Sequence, residues 1–245
     1  MADQHPLAGA ERADLQVQDY GDSAILLTSK LADRLDRWRH VHRLADSIER
    51  NKPHGVSGAI ATFDTVLVEF DCVSTSPFEV RTALAVEHGE LGGVGPESRN
   101  VFEIPVVYGG EYGPDLNAVA QELGVDVSVV ISAHIESEHV IRCVASPPGA
   151  PMTDMSNLPA PVPRRSGPRS HVPAGSVALA GRQAIIYATS SPGGWRLIGR
   201  TPMRLFDASK WPPVGYAPGD RLRFVPIRPA DWSLFGSASP TVGHR

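Results

Sequence analysis

The chain has 245 residues, 20% charged and 42% hydrophobic, ordinary values for a globular protein of one large or two small domains. Its formal net charge is only -4 at pH 7, which excludes a global electrostatic attraction to nucleic acid or to a membrane. No run approaches the roughly 18 apolar residues of a membrane span, and Cys72 and Cys143 form no C-x-x-C pair, so a cytoplasmic protein with reduced thiols is expected.

Residues 1–14 are expected to be a flexible start without an apolar signal core. The runs LQV and AILL flank Tyr20, Gly21 and Asp22, which predicts a hairpin. Leu31, Leu35, Trp38, Val41, Ala45 and Ile48 then recur three or four apart, the pattern of an amphipathic helix lying on a sheet, stopped by Pro53 and Gly55. VSGAIATF and TVLVEFD read as strands rich in β-branched residues. Ser76-Pro77-Phe78-Glu79 opens a second helix, with Ser76 as cap, Pro77 in the first turn and Glu79 closing a capping box. The order β-β-α-β-β-α describes a small α/β sandwich, and the glycine-rich LGGVGPESRN marks a boundary, giving an N-terminal α/β domain over residues 15–99. Gly92, Gly93 and Gly95 precede no helix pattern, so they read as linker and not as a phosphate cradle.

Beyond the boundary VFEIPVVYGG is a strand, and PDLNAVAQELG and VDVSVVISAHIES are two short helices around Gly124. Helix, turn and helix also suit a DNA reader, but Val127 to Glu138 carries no Lys or Arg, so a helical hairpin packed on a barrel is expected. His134 and Glu138, four apart, predict an exposed helical pair. Residues 145–173, dense in Pro and Ser, predict a long irregular loop. The remaining runs HVPAGSVALAG, QAIIYAT, WRLIGRT and RLRFVPI alternate with Gly and Pro turns as in a β-barrel, so the class is α+β with a barrel over residues 100–231 and a flexible tail over 232–245.

Arg164, Arg165, Arg169 and His171 form a basic cluster, read as a solvated loop or as a fork for a carboxylate or phosphate. In SPGGW, Gly193 and Gly194 allow backbone amides to face a ligand beside the Trp195 plane, although a tight hairpin with a core Trp has the same residues.

IPVVYGGEYGPDL, VPAGSVALAGRQAIIY and SPGGWRLIGRTPMRLFD closely resemble the family of allophanate hydrolase subunit 1 and the B subunit of 5-oxoprolinase, over about Tyr20 to Ile227. The resemblance implies a cyclophilin-like barrel for the second domain and a chain that works beside a larger subunit of similar fold, with a third subunit in 5-oxoprolinase. It implies ATP-dependent opening of the 5-oxoproline lactam to glutamate; related modules serve biotin-dependent urea carboxylase, and some members inhibit a sporulation histidine kinase. Carried over residue by residue, it implies substrate-binding roles for Pro148, Gly149, Pro173, Gly175, Ser176, Gln183, Tyr187, Gly193, Gly194, Trp195 and Thr201. In that model Arg200 neutralises a carboxylate or phosphate and His134 is the proton-transfer group. The family loop G-F-x-P-G-F-x-Y-L is represented by Ala145 to Thr153, which keeps Pro148 and Gly149 and has no aromatic residue. A non-catalytic regulatory subunit is therefore the alternative expectation.

Overall fold

The computed structural model describes residues 14–89, 100–155, 157–236 and 238–240. The expected linker glycines and most of the expected flexible ends lie outside the described residues. The chain divides into two units, residues 1–97 and 98–245.

In the first unit β1 (Leu15–Asp19) and β2 (Ala24–Ser29) form the predicted hairpin, and α1 (Arg34–Asn51) follows. β3 (Val56–Ala61), β4 (Thr65–Phe70) and α2 (Pro77–Gly89) complete it, with the antiparallel sheet in the order β1-β2-β4-β3. Strand alternation turns Ile25, Leu27, Val66 and Val68 to one face, where Val41, Leu44 and Ile48 of α1 pack on them. Asp33 caps α1 by accepting from the amides of Leu35 and Asp36, a contribution of about 1 kcal/mol. The predicted stripe is one turn shorter than expected, because Leu35 in that first turn remains 36% exposed. Ahead of α2 the Ser76 amide donates to Glu79 at 2.9 Å and the Glu79 amide donates to Ser76 Oγ at 3.3 Å, which is the reciprocal capping box.

The second unit is a closed barrel. Its strands are β5 (Val101–Tyr108), β6 (His139–Ala145), β7 (Ala150–Asp154), β9 (Ser176–Ala180), β10 (Gln183–Ile186), β12 (Arg196–Arg200) and β13 (Arg221–Pro226). Around the barrel the order is β10-β7-β6-β13-β5-β12-β9, antiparallel except for β13 against β5. A separate ribbon pairs β8 (Arg169–Val172) with β11 (Ser191–Gly193). β9 is buried along its whole length because both of its faces are covered. Val177 and Leu179 point into the barrel core, and Ala178 and Ala180 join an outer cluster with Val172, Tyr187 and Trp195.

The helices α3 (Leu116–Leu123) and α4 (Val127–Glu136) meet at 96° around Gly124 and pack along β12 and β13. Among the described residues no single helix is long and apolar enough to cross a membrane.

Two expectations require correction. The Pro- and Ser-rich stretch 145–173 is not one irregular loop, since β7 is a barrel strand between β6 and β10 and Met155, Leu158 and Val162 are buried. Paired neighbours on both sides supply the order that its composition lacks. The tail is not loose from residue 232, because Pro229–Leu234 is a 3-10 helix whose Trp232 packs on Tyr112.

Candidate functional site

Strand direction brings together one group of the expected site residues. β9 and β10 pair antiparallel, and β12 pairs with β9 through Arg200 opposite Ser176, so Ser176, Tyr187 and Arg200 stand at the same end of the barrel. Gly175 ties this end together, its amide donating to the Tyr187 carbonyl at 2.7 Å and its carbonyl accepting from Thr201 at 2.9 Å. Ser176 and Thr201 are buried beneath it, and the Ala174 amide donates to Ser190 Oγ. Pro173 joins this turn to β8.

Gly149 lies against Ala188, Phe206 and Val214, and its carbonyl accepts the Tyr216 hydroxyl. Phe206 and Tyr216, from a later segment, are thus the aromatic neighbours of Gly149, while Pro148 is exposed.

Arg200 Nε donates to the Ala174 carbonyl at 2.9 Å, and its Cζ lies 5.7 Å from the centroid of the Trp232 ring. Among the described arginines of this unit, only Arg164, Arg182 and Arg200 have no carboxylate partner. Arg182 is spent on the Leu158 carbonyl, and Arg164 is exposed above Trp195. Arg200 alone of the three is part-buried, positively charged and held at the end where the glycine turn converges.

Other expected residues are placed elsewhere. Gln183 starts β10 at the opposite end, four residues from Tyr187 and roughly 13 Å away at strand rise. Gly193 and Gly194 belong to the β8–β11 ribbon and the turn after it, with the Tyr187 hydroxyl pressed against Gly193 and the Gly194 carbonyl accepting from Arg165. Trp195 is only 9% exposed in the outer cluster, so SPGGW is the tight turn with a core Trp and presents no open ring to a ligand. Burial raises the Tyr187 phenol, with the Trp195 amide and the charges of Arg164 and Arg169 acting against it.

The basic cluster turns inward. Arg169 reaches Asp115 through both of its Nη atoms at 2.8 and 2.9 Å, Arg165 adds a third contact at 3.2 Å, and the Leu197 amide donates to the same carboxylate at 2.8 Å. Asp115 is 4% exposed. Burial alone would raise its carboxyl, but the bonds from Arg169 and Leu197 and the two arginine charges outweigh it and hold the group below its ordinary value.

His134 is fully buried, which corrects the exposed pairing expected for it. It forms no pair with Glu138, which meets Arg221 instead, and its ring packs in the core 4.3 Å from that of Phe224, centroid to centroid. Its Nδ1 shares a 2.8 Å hydrogen bond with the Tyr108 hydroxyl, and its carbonyl accepts from His139 Nε2 at 2.6 Å. Since His139 Nε2 must carry the proton, its Nδ1 accepts from Thr153 Oγ1.

Burial lowers both imidazoles, His139 to about 4. A depressed folded value means that this contribution to stability is intact above about 6.5, the unfolded value. It is lost progressively as pH falls toward 4. The ring resonances of His134 and His139 are therefore expected to stay unmoved between pH 8 and 5.5, and a titration midpoint near 6.5 for either would contradict their burial as neutral rings.

Asp115, Tyr112 and Trp232 are the site-shaping residues that sequence reasoning missed. GPDL read only as a helix start, and PADWSL only as tail. No group of three or more His, Cys, Asp or Glu able to hold a metal occurs among the described residues.

Comparison with known proteins adds identity to this geometry. A family model described as carboxyltransferase domain, subdomain C and D, matches residues 15–215. The chain is 34% identical over 236 residues to a Bacillus subtilis (strain 168) protein named as the B subunit of 5-oxoprolinase, covering 91% of this chain and 98% of that one. An Escherichia coli O157:H7 protein of the same name is 37% identical over 212 residues, covering 84% and 93%. Among solved structures, TTHA0988 superposes with a TM-score of 0.71 at 29% identity over 87% of this chain, which spans 40% of that longer chain. The urea carboxylase of Kluyveromyces lactis, at 18% identity and a TM-score of 0.73 over 90% of this chain and 22% of its own, shares the fold. With the family model spanning most of the chain and two relatives above 30% identity along nearly their full length, the chain belongs to the family of carboxyltransferase-domain proteins that includes the B subunits of 5-oxoprolinase.

Proposed function

We infer that this chain is a non-autonomous subunit of an ATP-dependent 5-oxoprolinase or allophanate-hydrolase-like complex, in which Arg200 supplies the charge that holds an anionic ligand. The observation that carries the reading is Arg200 itself. A part-buried guanidinium without a carboxylate partner is costly unless an anion completes it, and this one stands beside Gly175, Ser176 and Thr201. In the reaction one water adds across the lactam C–N bond of 5-oxoproline and gives glutamate, driven by ATP. The singly charged Arg200 edge suits a carboxylate, whereas a triphosphate requires several donors. ATP is accordingly assigned to a partner. The partners are the larger subunit of the same family and a third 5-oxoprolinase subunit.

The test is co-expression of this chain with those two subunits, followed by measurement of ATP hydrolysis with and without 5-oxoproline. Hydrolysis stimulated by 5-oxoproline supports the reading. A stable complex without stimulation contradicts it and favours a regulatory subunit, in which the substituted Ala145–Thr153 loop is the feature to restore.

A further inference from the structure

Trp232 is held in place from several directions. Arg228 donates twice to the Asp231 carboxylate beside it, the Phe235 amide donates to the Trp232 carbonyl, and the Arg204 amide donates to Ala238. Its indole meets Tyr112 at 4.8 Å between ring centroids, tilted by 38°. Tyr112 belongs to the turn Gly109 to Gly113, and Gly113 is jammed against Ile198 and Gly199, so close that an added Cβ would lie 2.1 Å from the Ile198 carbonyl oxygen. Both rings are thereby referred to the strand that ends in Arg200.

Arg200 is constrained twice, by the Ala174 carbonyl at Nε and by the Trp232 ring, over which its Cζ lies. What these contacts leave is the Nη edge, a planar fork that matches a carboxylate. The next cations along the chain, Arg204 and Lys210, are both paired with Asp207, so the free charge is a single one.

We propose that Trp232 is a positioning residue that fixes Arg200 with its Nη edge outward, making the site selective for a lactam or amide bearing a carboxylate over its uncharged analogue. The inference rests on the reading of Arg200 given above. A stacked cation is worth enough that its loss is expected to weaken carboxylate binding about tenfold, whereas removing the guanidinium weakens it about a hundredfold.

The experiment uses the full chain in two settings. In the assembled complex, KM is measured for 5-oxoproline and for 2-pyrrolidinone, the same lactam without the carboxylate, with Trp232→Leu, Trp232→Phe and Arg200→Ala. Trp232→Leu is expected to raise KM for 5-oxoproline about tenfold with a smaller change in kcat, to leave the 2-pyrrolidinone value unmoved, and to be rescued by Trp232→Phe. On the isolated chain, the Nε–H resonance of Arg200 in a nitrogen-15 spectrum is expected to be slowly exchanging in the wild type and in Trp232→Phe and to be lost in Trp232→Leu. Retention of both the resonance and the KM in Trp232→Leu overturns the positioning role. If Arg200→Ala keeps the preference for 5-oxoproline, the carboxylate role of Arg200 fails instead. The resonance requires no turnover, so it decides the hold of Trp232 on Arg200 even for a complex that opens neither lactam, a result that would defeat the carboxylate selectivity.

Discussion

Asp115→Ala is expected to destabilise the barrel unit by about 2–4 kcal/mol, the cost of leaving a buried amide and two part-buried guanidiniums without their partner. Three structural elements share this carboxylate. It stands at the head of α3, accepts from the Leu197 amide in β12, and binds Arg165 and Arg169 at the start of the β8–β11 ribbon. Removing it strands two guanidiniums and one buried amide together. Asp115→Asn keeps an acceptor for the amide and loses the charge, so its cost is expected to be smaller. The pH dependence has a definite sign. A carboxyl whose folded pKa is lowered contributes stability that is present above its unfolded value of about 3.9 and is lost as pH falls through the folded value. Urea unfolding at pH 7 and at pH 3 checks both statements, since the gap between wild type and Asp115→Ala should narrow in acid. A loss below about 1 kcal/mol at pH 7, or a gap independent of pH, contradicts them.

Gly175→Ala is the second large effect, expected at about 3 kcal/mol or more from two causes that act together. The residue has φ +82°, a left-handed conformation, and an added Cβ would lie 2.3 Å from the carbonyl oxygen of Thr201. That oxygen is backbone and cannot swing away as a flexible side chain would. Gly181→Ala is the control, because φ there is +59° and an added Cβ meets nothing within 4 Å. It should cost about 1–2 kcal/mol, the conformational strain alone. Equal melting temperatures for the two variants would show that the close approach at Thr201 carries no cost.

These residues also show what was legible before the structure. The Ser76–Glu79 box and the hairpin at Gly21 depend on neighbours within a few positions, so their chemistry is complete in a short reading window. Asp115 depends on partners 50, 54 and 82 positions away, and no periodicity reports such distances. Trp232 is similar, because the groups that order it, Tyr112 and Arg200, come from β5 and β12 connections remote in the chain. The His134–Glu138 pairing failed for a local reason. α4 ends at Glu136, so the four-residue spacing no longer places the two side chains on one helical face. β7 was hidden because Pro and Ser masked a strand whose order comes from its neighbours in the barrel. The family resemblance grouped Gln183 and Trp195 with Arg200 and gave no sign that Gln183 begins β10 at the other end of the barrel or that Trp195 is buried in the outer cluster.

The proposed role of Arg200, holding the ligand carboxylate within a multi-subunit hydrolase, is tested most directly by glutamate formation from 5-oxoproline and ATP. The complex is assembled with the wild-type or the Arg200→Ala chain. Glutamate is expected from the wild type, with a loss of kcat/KM of about a hundredfold in Arg200→Ala, the worth of one charged hydrogen-bond partner. Equal rates from the two complexes would contradict that role.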